Sequence, residues 1–254
     1  MGNIFKVFDV EYNFSDEKNA RVSCIGWFLQ HFKNKYWEPE TFKVFNRVRN
    51  KDTVALDIGA WIGPTTIWLS KNFKSVISVE PDAVAFAALS ANIEKSQCDN
   101  VTLINKPVYS ESVDILFGVN IHNRQLANEG LGASTSQIKE SQTDNTDNIL
   151  QAITLDYFKQ LDNYNNISFV KVDMEGGEEA ILESLFITAE TNKWQVYLSF
   201  HCDWWQDKDV ERFRRCFEKA KSIITDMNVW NNKSVDDVIN HIKANPFAAV
   251  YFEF

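Results

Sequence analysis

The residues best placed to do chemistry stand where short apolar runs stop. The run Val54-Ala55-Leu56 meets Asp57, then Gly59 and Gly63 stand four residues apart, and a helix-capable stretch, 65–69, follows. Strand, glycine turn and helix in that order open a nucleotide-binding βαβ unit. The turn lacks Gly-x-Gly-x-x-Gly, and no Lys-Ser/Thr follows its second glycine. Dinucleotide and phosphate-loop chemistry are therefore disfavoured. An Asp at the strand end is a poor neighbour for a pyrophosphate and a good one for an ammonium group. A second apolar run, 76–79, ends in Glu80-Pro81-Asp82. Glu80 lies roughly twenty residues past the turn, where an acid can accept hydrogen bonds from both ribose hydroxyls. A ligand with an ammonium group, a ribose and no phosphates fits S-adenosylmethionine.

The same pattern repeats along the chain. Asn105 ends a third expected strand (100–105), Asp173 and Glu175 follow a fourth (167–173), and His201 and Asp203 follow a fifth (194–200). Helical patterns at 83–96, 180–185, 210–220 and 235–242 fall between or after these runs, and 248–254 reads as a closing strand. Alternation of strands and helices argues for an α/β fold with a mostly parallel sheet covered on both faces. In such a sheet ligands bind beyond the carboxyl ends of the strands, where these polar residues collect.

Residues 1–50 read as an N-terminal leader or cap, with 5–12 and 25–29 as partners in a strand or hairpin. Pro39 and Glu40 look like a helix first turn, continuing through Phe42, Phe45 and Val48. Glu38, just before it, either complements the helix dipole or accepts a bond near the amino acid end of the cofactor. Residues 113–119 read as a strand flanking the sheet, and 153–161 as a short helix. The polar stretch 120–148 is expected to be a substrate-facing lid. No linker or repeat divides the chain, so one domain over 1–254 is expected, with 51–254 as its core.

The 254 residues carry 44% hydrophobic and 13% aromatic side chains, enough for a substantial core. A net charge of −9 and a pI near 5.0 argue against a partner that is mainly nucleic acid phosphate. Cys24, Cys98, Cys202 and Cys216 lack metal-knuckle spacing and read as reduced thiols. No apolar run has the length of a membrane span, and no signal-peptide pattern opens the chain. A soluble, cytoplasmic protein is the expectation.

Asp57-Ile58-Gly59-Ala60-Trp61-Ile62-Gly63, Glu80-Pro81-Asp82 and Lys171-Val172-Asp173-Met174-Glu175-Gly176-Gly177-Glu178 resemble the FkbM family of S-adenosylmethionine-dependent O-methyltransferases. Asn105-Lys106-Pro107-Val108 and Gly132-Ala133-Ser134-Thr135 support the resemblance, which covers roughly residues 50–205. Trp61 stands where the family usually has Asn, and Lys106-Pro107 replaces a small residue. The resemblance implies a Rossmann-like class I methyltransferase fold, with a seven-stranded sheet whose last strand is antiparallel. It also implies methylation of a hydroxyl, often on a sugar or glycosylated product. An Asn/Asp-Pro-Pro-Tyr/Phe tetrad of amino-group methyltransferases is missing, which favours oxygen as acceptor.

On this reading the cofactor is held by Glu38, by Asp57 with Gly59, Ala60 and Trp61 of the first turn, by Glu80 and Pro81, and by Asn105 and Asp173. Catalysis falls to His201, Asp173 and Glu175. His201 is the natural base, since imidazole titrates nearest neutrality. Asp173, His201 and Asp203, with Glu175 near, could instead hold magnesium or manganese to acidify the hydroxyl. Glu178 reads as a helix cap. The rival readings are a non-catalytic cofactor- or glycan-binding domain and an RNA 2′-O-methyltransferase. The RNA reading lacks an evident Lys-Asp-Lys-Glu tetrad.

Overall fold

The computed structural model describes residues 3–14, 25–119, 136–139, 148–201, 210–245 and 247–254. The chain opens with a hairpin of β1 (Asn3–Val7) and β2 (Val10–Phe14), then α1 (Ile25–Lys33) and α2 (Pro39–Val48). The central unit follows: β3 (Val54–Ile58), α3 (Pro64–Asn72), β4 (Ser75–Val79), α4 (Ala83–Lys95) and β5 (Val101–Ile104). Strands β6 (Asp114–Val119), β7 (Ser136–Lys139) and β8 (Asn148–Gln151) form a small antiparallel sheet of their own. The chain returns through 3-10 turns to β9 (Ile167–Val172), α5 (Glu178–Asn192), β10 (Gln195–His201), α6 (Val210–Phe217), β11 (Ser222–Ile224), α7 (Val235–Ala244) and β12 (Phe247–Glu253).

Seven strands make the main sheet, in the order β11-β12-β10-β9-β3-β4-β5. β5, β4, β3, β9 and β10 run parallel, and β12 is antiparallel to both β10 and β11. The fold is Rossmann-like, with the antiparallel last strand that the family resemblance implied. The chain enters at β3, winds outward to β5, then returns to lay β9 on the other side of β3. The strand order therefore reverses between β3 and β9, and the crevice at such a switch point is where ligands enter.

β3 is buried at every position, which is why its sequence is a continuous apolar run broken only by Asp57. Alternate side chains serve two cores. Val54, Leu56 and Ile58 pack with Val170, Val172 and Leu198 against Ile181, Leu182 and Phe186 of α5 and Phe217 of α6. On the opposite face Ala55, Val76, Phe169 and Tyr197 pack with Phe45 of α2, Trp68 of α3 and the aromatic side of the hairpin. No helix among the described residues is long and apolar enough to cross a membrane.

One expectation changes and two gain detail. Residues 25–29 are not a strand paired with 5–12: they begin α1, because Ile25, Phe28, Leu29 and Phe32 recur at helical spacing and are all buried. The hairpin partners are instead 3–7 and 10–14, joined by Phe8 and Asp9, both with positive φ as a tight primed turn requires. Phe8 bears that conformation while stacked on Phe42, ring centroids 4.0 Å apart. The short helix expected at 153–161 is a 3-10 helix, Leu155–Gln160. Within the expected lid, 136–139 is strand β7, paired with β6. The rest of 120–147, Gly132-Ala133-Ser134-Thr135 among it, lies outside the described residues, as do Cys24, Cys202 and Asp203.

Candidate active site

The turn after β3 is sewn to its neighbours by main-chain bonds. The Gly59 and Ala60 N–H groups both donate to Val79 O, each at 3.0 Å. Gly59 has φ +79°, and a Cβ there would lie 1.7 Å from the Asp173 carbonyl oxygen. Only glycine lets the loops after β3 and β9 approach so closely. Trp61 follows with φ +48°, and its N–H donates to Glu80 Oε2 at 2.8 Å. The other Glu80 oxygen accepts from the Asp82 N–H at 2.8 Å. Burial is the chief cause that pushes the Glu80 carboxyl up to about 8, against these two bonds.

These loops wall a cavity of about 250 Å³ at the carboxyl ends of β3, β4 and β9. Gly59, Ala60, Trp61, Glu80, Pro81, Glu38, Asp173 and Glu175 all line it, as the sequence reading expected, together with Lys106, Lys171, Trp27 and Trp37. Partly buried Glu38 accepts from Thr41 Oγ1 at 3.0 Å. Burial, then the Asp173 carboxylate, push its carboxyl up to about 7.

Three assigned residues lie elsewhere. Asp57 is fully buried and is not among the lining residues. Its Oδ2 accepts from Thr65 and Thr66 at 2.8 and 2.7 Å, and its Oδ1 sits 3.5 Å from Lys171 Nζ. It ties β3 to the start of α3 and faces the ammonium of Lys171, away from the cavity where a cofactor's ammonium would lie. Asn105 donates from Nδ2 to the Glu80 and Pro81 carbonyl oxygens at 2.8 and 3.1 Å, holding the main chain of that turn instead of touching the cavity.

His201 is the third. Its Nδ1 lies 3.0 Å from Glu178 Oε1, and its Nε2 lies 3.7 Å from Asp173 Oδ1 and 3.6 Å from Glu175 Oε2. Burial alone would lower its pKa, but the bond to Glu178 and the charges of Asp173, Glu178 and Glu175 outweigh it and hold the ring near 10. With that pKa the ring is an imidazolium at neutral pH, and an imidazolium has no lone pair to take a proton.

Glu178 is not a simple helix cap. It accepts from the Met174 N–H at 2.7 Å and the Gly176 N–H at 3.0 Å, and so clamps the loop that presents Glu175. Glu175 carries φ of +50°, strain that the clamp holds in place, and Gly176 at φ +101° supplies the turn that glycine adopts freely. Glu175 itself is pushed up to about 8, by burial first, with His201 acting to lower it.

Asp173, Glu178 and His201 present ligand atoms within 4.8 Å of one another. Both Glu178 oxygens accept main-chain N–H groups and Oε1 also lies 3.0 Å from His201 Nδ1, so a divalent ion held there would displace the His201 proton and share Glu178 with the loop it clamps. The imidazolium supplies there the positive charge that a metal would bring.

The residue that sequence reading missed is Lys171. Its ammonium is buried, donates to Gly59 O at 3.0 Å, and lies 3.5 Å from both Asp57 Oδ1 and Asp173 Oδ2. Burial would lower its pKa, but Asp173, Asp57 and Glu38 together raise it. A lysine inside an apolar strand, Ile167–Val172, is the signal that could have found it.

A family model for the methyltransferase FkbM domain matches residues 57–216, well over half of the chain. The chain belongs to this family of S-adenosylmethionine-dependent methyltransferases. Among solved structures it is similar to the methyltransferase FkbM from Methylobacillus flagellatus KT, with 11% identity over 94% of this chain and a TM-score of 0.48. This chain spans only 56% of that one's length. It is also similar to M. jannaschii TYW2 in complex with AdoMet (14% identity, 99% of this chain and 84% of that, TM-score 0.43). An O-methyltransferase from Bacillus cereus in complex with SAH matches at 12% identity over 84% of this chain and 79% of its own, TM-score 0.43. No curated protein matches the chain.

The lining fits the family's cofactor. Among the described residues the lining carries four acids, Glu38, Glu80, Asp173 and Glu175, and two lysines, Lys106 and Lys171, a set of acceptors suited to a ligand carrying ammonium and sulfonium charges. Each Glu80 oxygen has one protein donor and retains a lone pair for a ribose hydroxyl.

Proposed function

We propose that this domain transfers a methyl group from S-adenosylmethionine to a hydroxyl, and that the acceptor is a sugar or glycan. The observation that supports this most is Glu175: a carboxylate on a clamped, strained loop, lining the cofactor cavity, with its pKa pushed up to about 8. An alcohol is a weak nucleophile until its proton leaves, and a base titrating near the working pH removes it most effectively.

Bound S-adenosylmethionine supplies the electrophilic methyl carbon. The chain's residues do the rest. Glu80 takes the ribose, while Glu38 and Asp173 form the acidic end of the cavity that receives the ammonium group. Glu175 accepts the acceptor's proton. His201, charged and held by Glu178, keeps Glu175 and Asp173 oriented and compensates their charge. An acceptor dense in phosphate meets the acidic lining unfavourably, whereas a neutral polyol can donate to its carboxylates.

The test is a screen of sugar acceptors with isotope-labelled cofactor, read by mass and by site of methylation. Glu175→Gln should lower kcat by about 10²–10⁴-fold with cofactor affinity kept, and wild-type kcat should rise as pH passes through about 8. A chelator should leave turnover unchanged. Labelling of nitrogen instead of oxygen, or near wild-type kcat in Glu175→Gln, would remove this assignment.

A further inference from the structure

Trp27 leaves 58% of its surface exposed, although Ile25, Phe28, Leu29 and Phe32 of the same helix are buried. Trp27 nevertheless lines the cavity. One helical turn on, the His31 ring stacks against it, with centroids 4.2 Å apart and planes 28° apart. His31 Nδ1 lies 2.8 Å from the Trp27 carbonyl oxygen. A carbonyl can only accept, so Nδ1 carries the proton and the imidazole is fixed under the indole. Phe28, the next residue, packs edge-on against Trp37 at 5.3 Å and Trp61 at 5.0 Å, both in the cavity wall. The helix that carries Trp27 is thus anchored to the site, and the indole is held with one face against His31 and more than half of its surface exposed.

We propose that Trp27, backed by His31, is the stacking platform for a pyranose ring of the acceptor, an inference that rests on the sugar-hydroxyl reading above. A pyranose has an apolar C–H face and a rim of hydroxyls. The C–H face meets the negative face of an aromatic ring, while a hydroxyl of the rim can donate to Glu175 in the same cavity. Those carboxylates disfavour an anionic acceptor, and a nucleobase would arrive with phosphates attached. A large apolar side chain left in water at the mouth of a cavity with convergent polar groups marks a binding surface. Holding it rigid beforehand reduces the ordering that binding would otherwise require.

The test uses the protein saturated with S-adenosylhomocysteine and a panel of methyl pyranosides of gluco, galacto and manno configuration. Saturation-transfer NMR should show the pyranoside C–H protons in contact with the wild-type protein. Trp27→Ala should abolish that contact, and Trp27→Phe should retain part of it. For any pyranoside that is methylated, Trp27→Ala should raise KM by about 2- to 13-fold, the scale of one lost aromatic contact. Calorimetry should give the same Kd for S-adenosylhomocysteine in both variants and wild type. Trp27 is exposed, so its loss does not threaten folding. A rise in the S-adenosylhomocysteine Kd with pyranoside contact intact would assign the indole to the cofactor and overturn the proposal. An unchanged acceptor KM in Trp27→Ala would also overturn it while leaving the sugar reading in place. Methylation of non-sugar hydroxyls alone, with no pyranoside contact in wild type, would overturn both.

Discussion

Replacing Lys171 by Met isolates the charge that holds the site together. The ammonium is 2% exposed and stands 3.5 Å from the carboxylates of Asp57 and Asp173. At an effective dielectric near 20, each such pair is worth roughly 5 kcal/mol before the cost of burying the ammonium is counted. Methionine keeps the length and the packing but leaves Asp57 Oδ1, which has no hydrogen-bond partner of its own, facing an apolar side chain. Breaking a buried pair by removing one member costs about 3–5 kcal/mol. For a chain of this size that corresponds to a fall in Tm of roughly 6–20 °C. Urea denaturation of Lys171→Met, Asp57→Asn and the double variant measures it. The double variant should be more stable than the sum of the two losses, by about 1–3 kcal/mol, because removing the second charge relieves the first. A Lys171→Met protein within about 1 kcal/mol of wild type, or strictly additive losses, would refute the reasoning, since neither survives if the lysine neutralises a buried carboxylate.

Glu80→Ala should weaken S-adenosylhomocysteine binding by about 1–3 kcal/mol, the loss of a charge-assisted partner; unchanged affinity by calorimetry would remove the ribose assignment. Gly59→Ala should destabilise the fold by about 3 kcal/mol or more, because the new Cβ lands 1.7 Å from Asp173 O and the φ is left-handed; a wild-type denaturation midpoint would contradict the close approach of the two loops. The protein without cofactor should lose stability as pH rises. Glu38, Glu80 and Glu175 go from 4.5 to about 7, 8 and 8, and His201 goes from 6.5 to about 10. A folded-state pKa above the unfolded one means the contribution is complete below the unfolded value and is lost as pH climbs through the folded one. Tm should therefore fall between pH 5 and 10, and thermal scans showing a rise across that window would contradict the shifts.

What could be read in the chain alone was local. Gly59, Gly63 and Pro64 mark a turn and a helix start by backbone preference, and Glu80 is placed by its distance from that turn along the chain. The apolar runs of β3, β4, β9 and β10 announce a sheet buried on both faces, because each strand must satisfy two cores at once. The polar residues that end them announce the edge where ligands bind. These are properties of neighbouring residues, and the sequence determined them. Even α1 was written there, in the recurrence of Ile25, Phe28, Leu29 and Phe32.

Only the tertiary structure decided which polar groups face the cavity and which face each other. Asp57 and Glu80 both end strands, yet Thr65, Thr66 and Lys171 enclose Asp57 while Glu80 lines the cavity. His201 is a base by its type and an imidazolium by its company: Glu178 from α5 and Asp173 and Glu175 from the loop after β9 surround it. Lys171 acquires its role only when β9 is laid beside β3, which brings it to Gly59 O across a gap of 112 residues. The charge state of a buried group depends on the sum of burial and every nearby charge, and those neighbours are assembled by the fold from segments that are far apart in the chain.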